Sequence, residues 1–278
     1  MSINDINNAA AAMNQLKARY EGFLDDADGQ IAARRAAYDG LASDLNEVVE
    51  DRMSLKLFLD ADAGDDSNSG TSGSPLKTLQ EAYRRMVPGC LAELGMKRGG
   101  TFIVGRDDAC LIDNAVVYHY AYGDDADPMP VIQQYITEIN NASYSSGFGG
   151  KSLQLIFIYI RMIVGMEYGE LARTRYSGFI RGIANSSFTA AYCTIELGNA
   201  DFIRPSFEEV IHVDMRSTTL VRQAGSDAGF LVSRGGSLRA AGVILPENET
   251  WKDLISGIFY AADGEPRNFI TDIDFTGA

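Results

Sequence analysis

Two histidines are the side chains of this sequence best suited to acid–base chemistry near neutral pH. His119 lies in the alternating run VVYHYAY and His212 in EVIHVDM, and both runs are typical of β-strands. Asp214 follows His212 by two residues, so both side chains face the same side of a strand, as an imidazole and the carboxylate that orients it would. The sequence places no serine or cysteine nucleophile beside this pair. We therefore predict structural roles for both histidines and assign no catalytic residue.

Acidic side chains are the second group that offers chemistry, because a glycosidase needs two carboxylates roughly 5 to 9 Å apart. The chain has 38 aspartates and glutamates against 24 lysines and arginines, a formal net charge of −14. Candidates are Asp107, Asp108, Asp124, Asp125, Glu208 and Glu209. The sequence does not rank them, and solvated surface charge is the expected role of each.

The same acidity restricts the class of partner. A nucleic-acid duplex or an anionic membrane would be repelled unless a local basic patch outweighed the net charge, and no run of lysine and arginine is longer than a pair. The longest apolar stretch, LIFIYI at 155–160, is too short to span a bilayer, and no basic leader precedes an apolar run at the N-terminus. We predict no nucleic-acid partner, no membrane insertion and no signal-peptide export.

Motifs for metals and cofactors are absent from the sequence. Cys90, Cys110 and Cys193 are far apart, which fits neither a zinc motif nor a disulfide framework and indicates buried thiols. A calcium loop beginning at Asp60 would need glycine at its sixth position and glutamate at its twelfth, where this chain has Asp65 and Thr71. Neither a P-loop nor a nucleophile elbow occurs. No metal and no cofactor is predicted.

Residues 1–53 are predicted to form a helical segment for attachment and oligomerisation. Ser2 and Asp5 are typical of an N-terminal cap, and apolar residues then recur at three- and four-residue steps as in a coiled coil, with one stutter that leads to Ile31. The predicted oligomerisation residues are Ile6, Met13, Leu16, Tyr20, Phe23, Ile31, Arg34, Tyr38, Leu41, Leu45 and Val48. Arg34 is a polar residue within this row, a feature that fixes register. An intrachain hairpin of two short helices, broken near a glycine, is the alternative.

Residues 54–100 are predicted to form a turn-rich lead-in and a capping helix. Alternating leucines at 55, 57 and 59 indicate a short strand, and the run from Asp60 to Ser74 is rich in turn-forming residues. A helix is then expected to begin at Pro75 with Ser74 as its cap and to end before Pro88. The residues assigned to this capping helix are Pro75, Leu76, Leu79, Ala82 and Tyr83.

The string GDDSNSGTSGSPLKTLQEA, residues 64–82, resembles the lead-in of phage tail fibre and tailspike proteins. It is also similar to the lead-in of some bacterial surface proteins and polysaccharide lyases. In that family a small helix caps the open end of a right-handed parallel β-helix, and a helical segment before it attaches to the virion. The resemblance covers under a tenth of the chain.

Residues 101–278 are predicted to form a β-rich body. Short strands at intervals of roughly eight to twelve residues fit a sandwich, a barrel or the rungs of a β-helix. The predicted fold is mainly β with N-terminal α: a coiled-coil-like segment followed by a short parallel β-helix or a trimeric β-prism-like domain. Residues 153–164 are expected to be covered on both faces, by a second sheet or, as we prefer, by neighbouring subunits, because the coil already brings copies together. Residues 123–150 are expected to loop out. Trp251 is expected to anchor the core.

The resemblance implies a structural virion protein, a short tail fibre or a fibre-base or adaptor subunit that contributes to host attachment. The expected partners are two further copies in a homotrimer, other virion tail or fibre proteins and a host surface glycan. The expected location is the virion, in the phage tail, after synthesis in the host cytoplasm. The alternative is a tailspike-type carbohydrate-active enzyme, a polysaccharide depolymerase; a bacterial surface β-helix protein is a third reading.

Overall fold

The computed structural model describes residues 2–105, 109–135, 137–139, 142–166, 172–181, 185–204, 210–232, 235–262, 264–273 and 275. Side chains are described at these residues except 45–52, 137–139, 142–146, 166 and 172–177. The chain divides into two compact units, Met1–Asp51 and Arg52–Ala278. The lead-in, which the sequence sets apart as residues 54–100, therefore belongs to the same unit as the β-rich residues that follow it.

The first unit is one continuous helix, α1 (Ile3–Met53). The Ser2 amide donates to Asp5 Oδ2 (2.8 Å) and the Asp5 amide donates to Ser2 Oγ (3.3 Å). These two bonds satisfy amides that a helix N-terminus otherwise leaves without partners. Three glycines lie inside the helix without interrupting it, so the alternative of two short helices in a hairpin is wrong.

The second unit is built from parallel strands that pass in turn through three sheets, the topology of a β-helix. The first sheet contains β1 (Ser54–Leu59), β2 (Leu91–Lys97), β5 (Val116–Tyr122), β9 (Gln154–Ile158), β12 (Ser186–Ala191), β15 (Ile211–Arg216), β18 (Gly236–Ala241) and β20 (Phe269–Thr271). The second sheet contains β3 (Thr101–Val104), β6 (Val131–Tyr135), β10 (Arg161–Met166), β13 (Thr194–Leu197) and β16 (Thr219–Arg222).

The third sheet contains β4 (Cys110–Leu111), β8 (Ala142–Gly149), β11 (Ala172–Arg181), β14 (Ile203–Arg204), β17 (Leu231–Val232) and β19 (Ile255–Ser256), with β7 (Thr137–Ile139) antiparallel to β8. Two short helices, α2 (Leu79–Arg85) and α3 (Trp251–Leu254), lie between strands. A mainly β chain with a long N-terminal helix and parallel sheets is thus confirmed. Within one chain the strands wind as a β-helix rather than a prism, and the coiled coil and the trimer stay predictions.

Phenylalanine side chains fill the centre of the β-helix. Neighbouring rings in this group have centroids 5.1 to 5.8 Å apart. The column follows from in-register parallel strands, which repeat at about 4.8 Å and place equivalent residues of successive coils over one another. Trp251 is half-buried and packs edge-on against Phe230, the last ring of the column, with centroids 6.2 Å apart. It therefore contacts the core without lying inside it. The fully buried members are Phe148, Phe157, Phe179, Phe188, Phe202 and Phe230.

The expectation that residues 123–150 loop out is wrong. Strands β6 and β8 lie within this segment and pair with strands of neighbouring coils. Proline lacks a backbone N–H donor, but Pro128 and Pro130 precede β6 and need none. Their carbonyls accept hydrogen bonds from the amides of Gly99 (2.9 Å) and Arg161 (3.0 Å), respectively. The segment therefore completes a coil in spite of its prolines.

Within one chain, residues 153–164 are covered on one face only, and the predicted covering of the other face by neighbouring subunits stays a prediction. They form β9 and β10 around a corner at Tyr159, where φ is +56°. In β9 the side chain of Phe157 is buried, whereas Ile156 and Ile158 are partly exposed on the outer side. These two isoleucines form the apolar outer surface that a neighbouring subunit would cover.

The chain between β1 and α2 returns to lie beside β1, in parallel pairing with it at Leu76. The prediction that a helix begins at Pro75 is therefore wrong. Leu76 is extended, with its amide donating to the Phe58 carbonyl (2.9 Å) and its carbonyl accepting from the Asp60 amide (2.8 Å). Because both backbone groups of Leu76 are paired in this way, neither is available for a helical turn. Pro75 suits an extended segment because it has no N–H to leave unpaired.

Helix α2 begins at Leu79, with Thr78 as its N-cap and not Ser74. Asp66 fixes this start: its Oδ1 accepts from the amides of Lys77 and Thr78 (2.9 Å each), and its Oδ2 accepts from the Thr78 hydroxyl (2.8 Å). A carboxylate of the turn-rich lead-in therefore sets the position of the capping helix.

We expect the substitution Asp66→Ala to lower the free energy of unfolding by about 1 to 2 kcal/mol, because three donors around the N-cap lose their acceptor. Asp62→Ala, at an exposed residue of the same loop, is the matched control and should change it by less than about 0.5 kcal/mol. Urea unfolding followed by circular dichroism measures both. Equal effects would show that the Asp66 carboxylate does not stabilise the lead-in.

Candidate functional site

One side of α1 carries a long row of exposed apolar side chains. They are Ile6 (55% exposed), Met13 (72%), Leu16 (68%), Tyr20 (62%), Phe23 (67%), Ile31 (64%), Tyr38 (72%) and Leu41 (65%). Together with Arg34, which is also exposed, we call these residues the seam. An extended apolar row of this kind on a folded chain marks an interaction surface.

The seam stays on one side of the helix because of its stutter. Seven residues fall about 20° short of two full turns, so a strict heptad row drifts around a straight helix. The two consecutive four-residue steps from Phe23 through Ala27 to Ile31 rotate the row back. Leu45 and Val48 continue the row in α1, but their side chains lie outside the described residues.

The residues predicted for the capping helix are divided between α2 and the segment before it. Leu79 and Ala82 are fully buried and Tyr83 is 4% exposed, so these three form the inner face of α2. Leu76 is also buried and Pro75 is half-buried, but both precede the helix. The inner face predicted from apolar spacing is therefore present, on a helix that begins later.

His119 lies directly below α2, in the interior. Its Nδ1 donates to the Ile156 carbonyl (3.2 Å), which leaves Nε2 to accept from the Tyr83 hydroxyl (3.1 Å). The ring is fully buried and stacks on Phe157 with centroids 4.3 Å apart. Burial lowers the pKa of His119 to about 3, so the imidazole is neutral. The predicted structural role fits this environment.

His212 is exposed, and its Nδ1 lies 2.8 Å from Ser237 Oγ on the neighbouring strand. Sequence reasoning missed this serine because 25 residues separate the two, and only the strand register joins them. A Ser–His pair becomes a nucleophile when a third group orients the imidazole. Asp214 does not do so, because its carboxylate accepts from Arg216 Nη2 (2.9 Å). We assign this pair as a cross-strand contact.

Two of the six acidic candidates lie in described residues. Asp124 Oδ1 accepts from the Ala126 amide (3.0 Å), and Asp125 forms an ion pair with Arg98 (2.9 Å). Both carboxylates therefore have structural partners close by. The other four, Asp107, Asp108, Glu208 and Glu209, fall outside the described residues.

A cavity of about 260 Å³ is lined by aspartates from successive coils, Asp201, Asp227 and Asp253. Asp201 accepts from Arg204 Nη1 (2.6 Å). Asp253 accepts from the amide and the hydroxyl of Thr250 (2.7 Å each), and these bonds lower the pKa of Asp253. A glycosidase general acid needs a raised carboxyl pKa, so Asp253 does not fit that role.

An aromatic surface that sequence reasoning missed covers part of the outer side of the first sheet. Phe58 and the tyrosines at 118, 120 and 122 are half-buried there. Phe58 packs edge-on against Tyr122 (5.1 Å), and Lys56 Nζ lies 6.0 Å from the ring centroids of both Phe58 and Tyr120. The signal was in VVYHYAY: when the histidine points inward, the alternating tyrosines must point outward.

Two more tyrosines lie at the corner between the first and second sheets. Tyr159 and Tyr192 have left-handed backbones (φ +56° each), and their rings stack with centroids 4.9 Å apart and an interplanar angle of 12°. A residue with a Cβ costs about 1 to 2 kcal/mol in this conformation. Successive coils place Ser217 (φ +46°) and Gly242 (φ +65°) at the same corner. We call these four residues the corner column; its turn does not itself require tyrosine.

Other kinds of site are not found in the described part of the chain. The three cysteines are buried thiols, and burial raises the pKa of Cys193 to about 11. Among the residues with described positions, no three His, Cys, Asp or Glu side chains are grouped as metal ligands. No described helix has both the length and the apolar composition of a membrane span.

No family model and no curated protein matches this chain. Among solved structures it is similar to a GH136 lacto-N-biosidase from Eubacterium ramulus. The native protein matches at 15% identity and TM-score 0.36, over 69% of this chain and 36% of that one. The selenomethionine derivative matches at 17% identity and TM-score 0.34, over 73% of this chain and 32% of that one. It is also similar to a rhamnogalacturonan lyase at 12% and 0.32, over 78% and 65%. The chain thus spans about a third of the length of the lacto-N-biosidase. The assignment of the fold rests on the strand register described above.

Proposed function

We propose that this protein is a structural protein of fibre type, in which three copies associate along the seam of α1. The specific assignment is a short tail fibre, or a fibre-base or adaptor subunit, of a phage particle. The observation that carries the proposal is the seam: a row of apolar side chains along a 51-residue helix, exposed within its own chain.

Association is supported by what an isolated helix of this composition lacks. A helix in water is marginal without a packed face, and each internal glycine costs about 1 kcal/mol relative to alanine. Complete burial of a large apolar side chain contributes about 1.5 to 3 kcal/mol, so a few seam layers are enough to offset three glycines. A coil between copies provides this burial over the whole row.

Copies of the same chain suit the seam better than an unrelated helix. In a closed symmetric coil each residue meets its own equivalents, so one row of side chains forms every layer. Arg34 then defines one polar layer, which penalises shifted registers. The virion part of the proposal draws support from the lead-in: residues 64–82 resemble the tail-fibre motif, and α2 buries its inner face as a capping helix would.

The mass in solution tests the association. One chain has a mass of 30.2 kDa. We expect light scattering on the full-length protein to give three times the mass of one chain, as a closed trimer requires. The mass of a single chain would overturn the trimer, and the mass of two chains would replace it with a dimer. Dilution should not change the result over the micromolar range if the coil is the permanent form.

Particle incorporation and enzyme assays test the virion assignment. Deletion of residues 1–53 should abolish incorporation into virions, and unchanged incorporation would contradict the attachment role. The alternative, a polysaccharide depolymerase, predicts an activity of the β-rich body. Such an enzyme would release reducing sugar from host polysaccharide, and a carboxylate-to-amide substitution would stop the release. We expect no release.

A further inference from the structure

We propose that the open face of Tyr192, in the corner column, is a binding shelf for a neutral saccharide. Tyr159 covers one face of the Tyr192 ring, and Arg98, two coils earlier, lies 6.0 Å from the centroid of the Tyr159 ring. On the other side of Tyr192 the column continues with Ser217 and Gly242, which have no ring to extend the stack. The stack therefore ends in an aromatic face at the surface.

The two tyrosines lie at a turn that does not require them. Each holds a bulky side chain in a left-handed backbone, and the next coils make the same turn with serine and glycine. Strained backbone of this kind persists mainly at sites with a function. Both rings also stay accessible, with Tyr159 43% and Tyr192 51% exposed. The shelf is therefore a feature that demands an explanation other than folding.

The surroundings of the shelf select the chemistry of the ligand. Arg216, one residue before Ser217, is 60% exposed but forms an ion pair with Asp214 (2.9 Å), and Arg98 is paired with Asp125. With its nearby charges paired, the shelf attracts neither anions nor cations strongly. The paired groups still offer hydrogen bonds at their outer edges, next to an aromatic face.

A pyranose ring matches this combination. Its C–H face is apolar and stacks on an aromatic ring, and its rim of hydroxyls both donates and accepts hydrogen bonds. A protein partner fits less well, because a stable interface buries about 800 Å² per partner around an apolar centre. The shelf has small or polar neighbours instead: Ser217, Gly242 and Arg216 are all exposed.

This inference deepens the proposed function, since it supplies the chemistry by which the body of a fibre recognises a host surface. The two proposals fail separately. The seam is tested by mass, which a substitution at Tyr192 should leave at three chains. The shelf is tested by the affinity for a single oligosaccharide in solution, which does not depend on the number of chains.

The experiment applies the full-length protein to an array of immobilised neutral oligosaccharides, built from hexoses and N-acetylhexosamines, beside uronic- and sialic-acid-containing ones. Calorimetric titration then measures the strongest neutral ligand against three variants. Tyr192→Ser, which copies the next coil, should weaken binding by about tenfold or more and leave the thermal transition of the β-rich unit in place. Tyr192→Phe should keep most of the affinity. Tyr135→Ser is the matched control, since Tyr135 is 41% exposed on the second sheet, and it should bind as the original protein does.

Each outcome decides the matter. Neutral ligands lost with Tyr192→Ser and kept with Tyr135→Ser support the shelf. No ligand on the array, ligands that are only acidic, or equal affinity with and without the Tyr192 ring overturn it. Because the next coil makes the same turn with Ser217, the serine variant should fold, and a loss of binding with the thermal transition retained is not explained by unfolding.

Discussion

The double substitution Leu16→Asp with Phe23→Asp is expected to reduce the mass in solution from that of three chains to that of one, 30.2 kDa. Both side chains belong to the seam and are about two-thirds exposed in the single chain, Leu16 at 68% and Phe23 at 67%. In a closed coil each substitution brings three carboxylates together in one layer. Like charges there repel one another, and each also loses its hydration, so the layer does not form.

The helix itself should respond with the mass. Once α1 is separated from its partners, no packed face offsets the cost of its internal glycines, and the helical signal at 222 nm should fall. The β-rich unit should keep its thermal transition, because it has its own core.

Ala11→Asp with Ala18→Asp is the matched control for this experiment. It adds the same two carboxylates at the same spacing in sequence, on the opposite side of α1, and both alanines are exposed. The control should retain the mass of three chains. If the two double variants have the same mass, whether large or small, the seam is not the interface.

The second large effect is expected on acidification, through His119. In the unfolded chain its pKa is near 6.5, whereas burial in the folded chain lowers the pKa to about 3. Between these values the unfolded state binds a proton that the folded state does not. Stability is therefore fully present above pH 6.5 and is lost as the pH falls, by about 1.4 kcal/mol per pH unit and roughly 5 kcal/mol in total.

Urea unfolding at pH 7.5, 6.0 and 4.5 measures this slope, with His119→Phe as the test. The variant loses the Tyr83 hydrogen bond and is less stable at pH 7.5, but its stability should fall less steeply with acid. His212→Phe, at the exposed histidine, should retain the original slope. Carboxylates such as Glu81, whose pKa is lowered to about 2 by Arg84 and Arg85, add a further loss at lower pH in all variants. Parallel curves for the original protein and His119→Phe would contradict the prediction.

Features that depend on local sequence were predictable. The helical spacing of α1, the alternating leucines of β1 and the apolar spacing of α2 all lie within one element, where periodicity reports the type of element directly. The start of α2 was not predictable in this way. Leu76 follows the helical spacing, but the loop brings it back beside β1. There its backbone pairs with Phe58 and Asp60 instead of forming a helical turn.

Features that depend on contacts between coils were beyond the sequence. Leu91 pairs with Val116 on the next coil, and Val116 pairs with Gln154 on the coil after that. The two sequence separations differ, so no constant spacing in the sequence reveals which residues are neighbours on adjacent coils. The contact of His212 with Ser237 and the stack of Tyr159 on Tyr192 both arise from this register. The contacts between coils of the body could therefore not be predicted from the sequence, whereas the long helix α1 could.

The strand register also makes the length of this body adjustable in whole units. Ser186 pairs with Ile211 and Ile211 with Gly236, so two successive coils have one common length, the same interval that separates His212 from Ser237. Each coil contacts only its neighbours. A tandem duplication of one such segment in the gene would insert one more coil and extend the body by about 4.8 Å, with α1 and the lead-in unaltered. A single genetic step could therefore produce a relative whose body is longer by one whole coil.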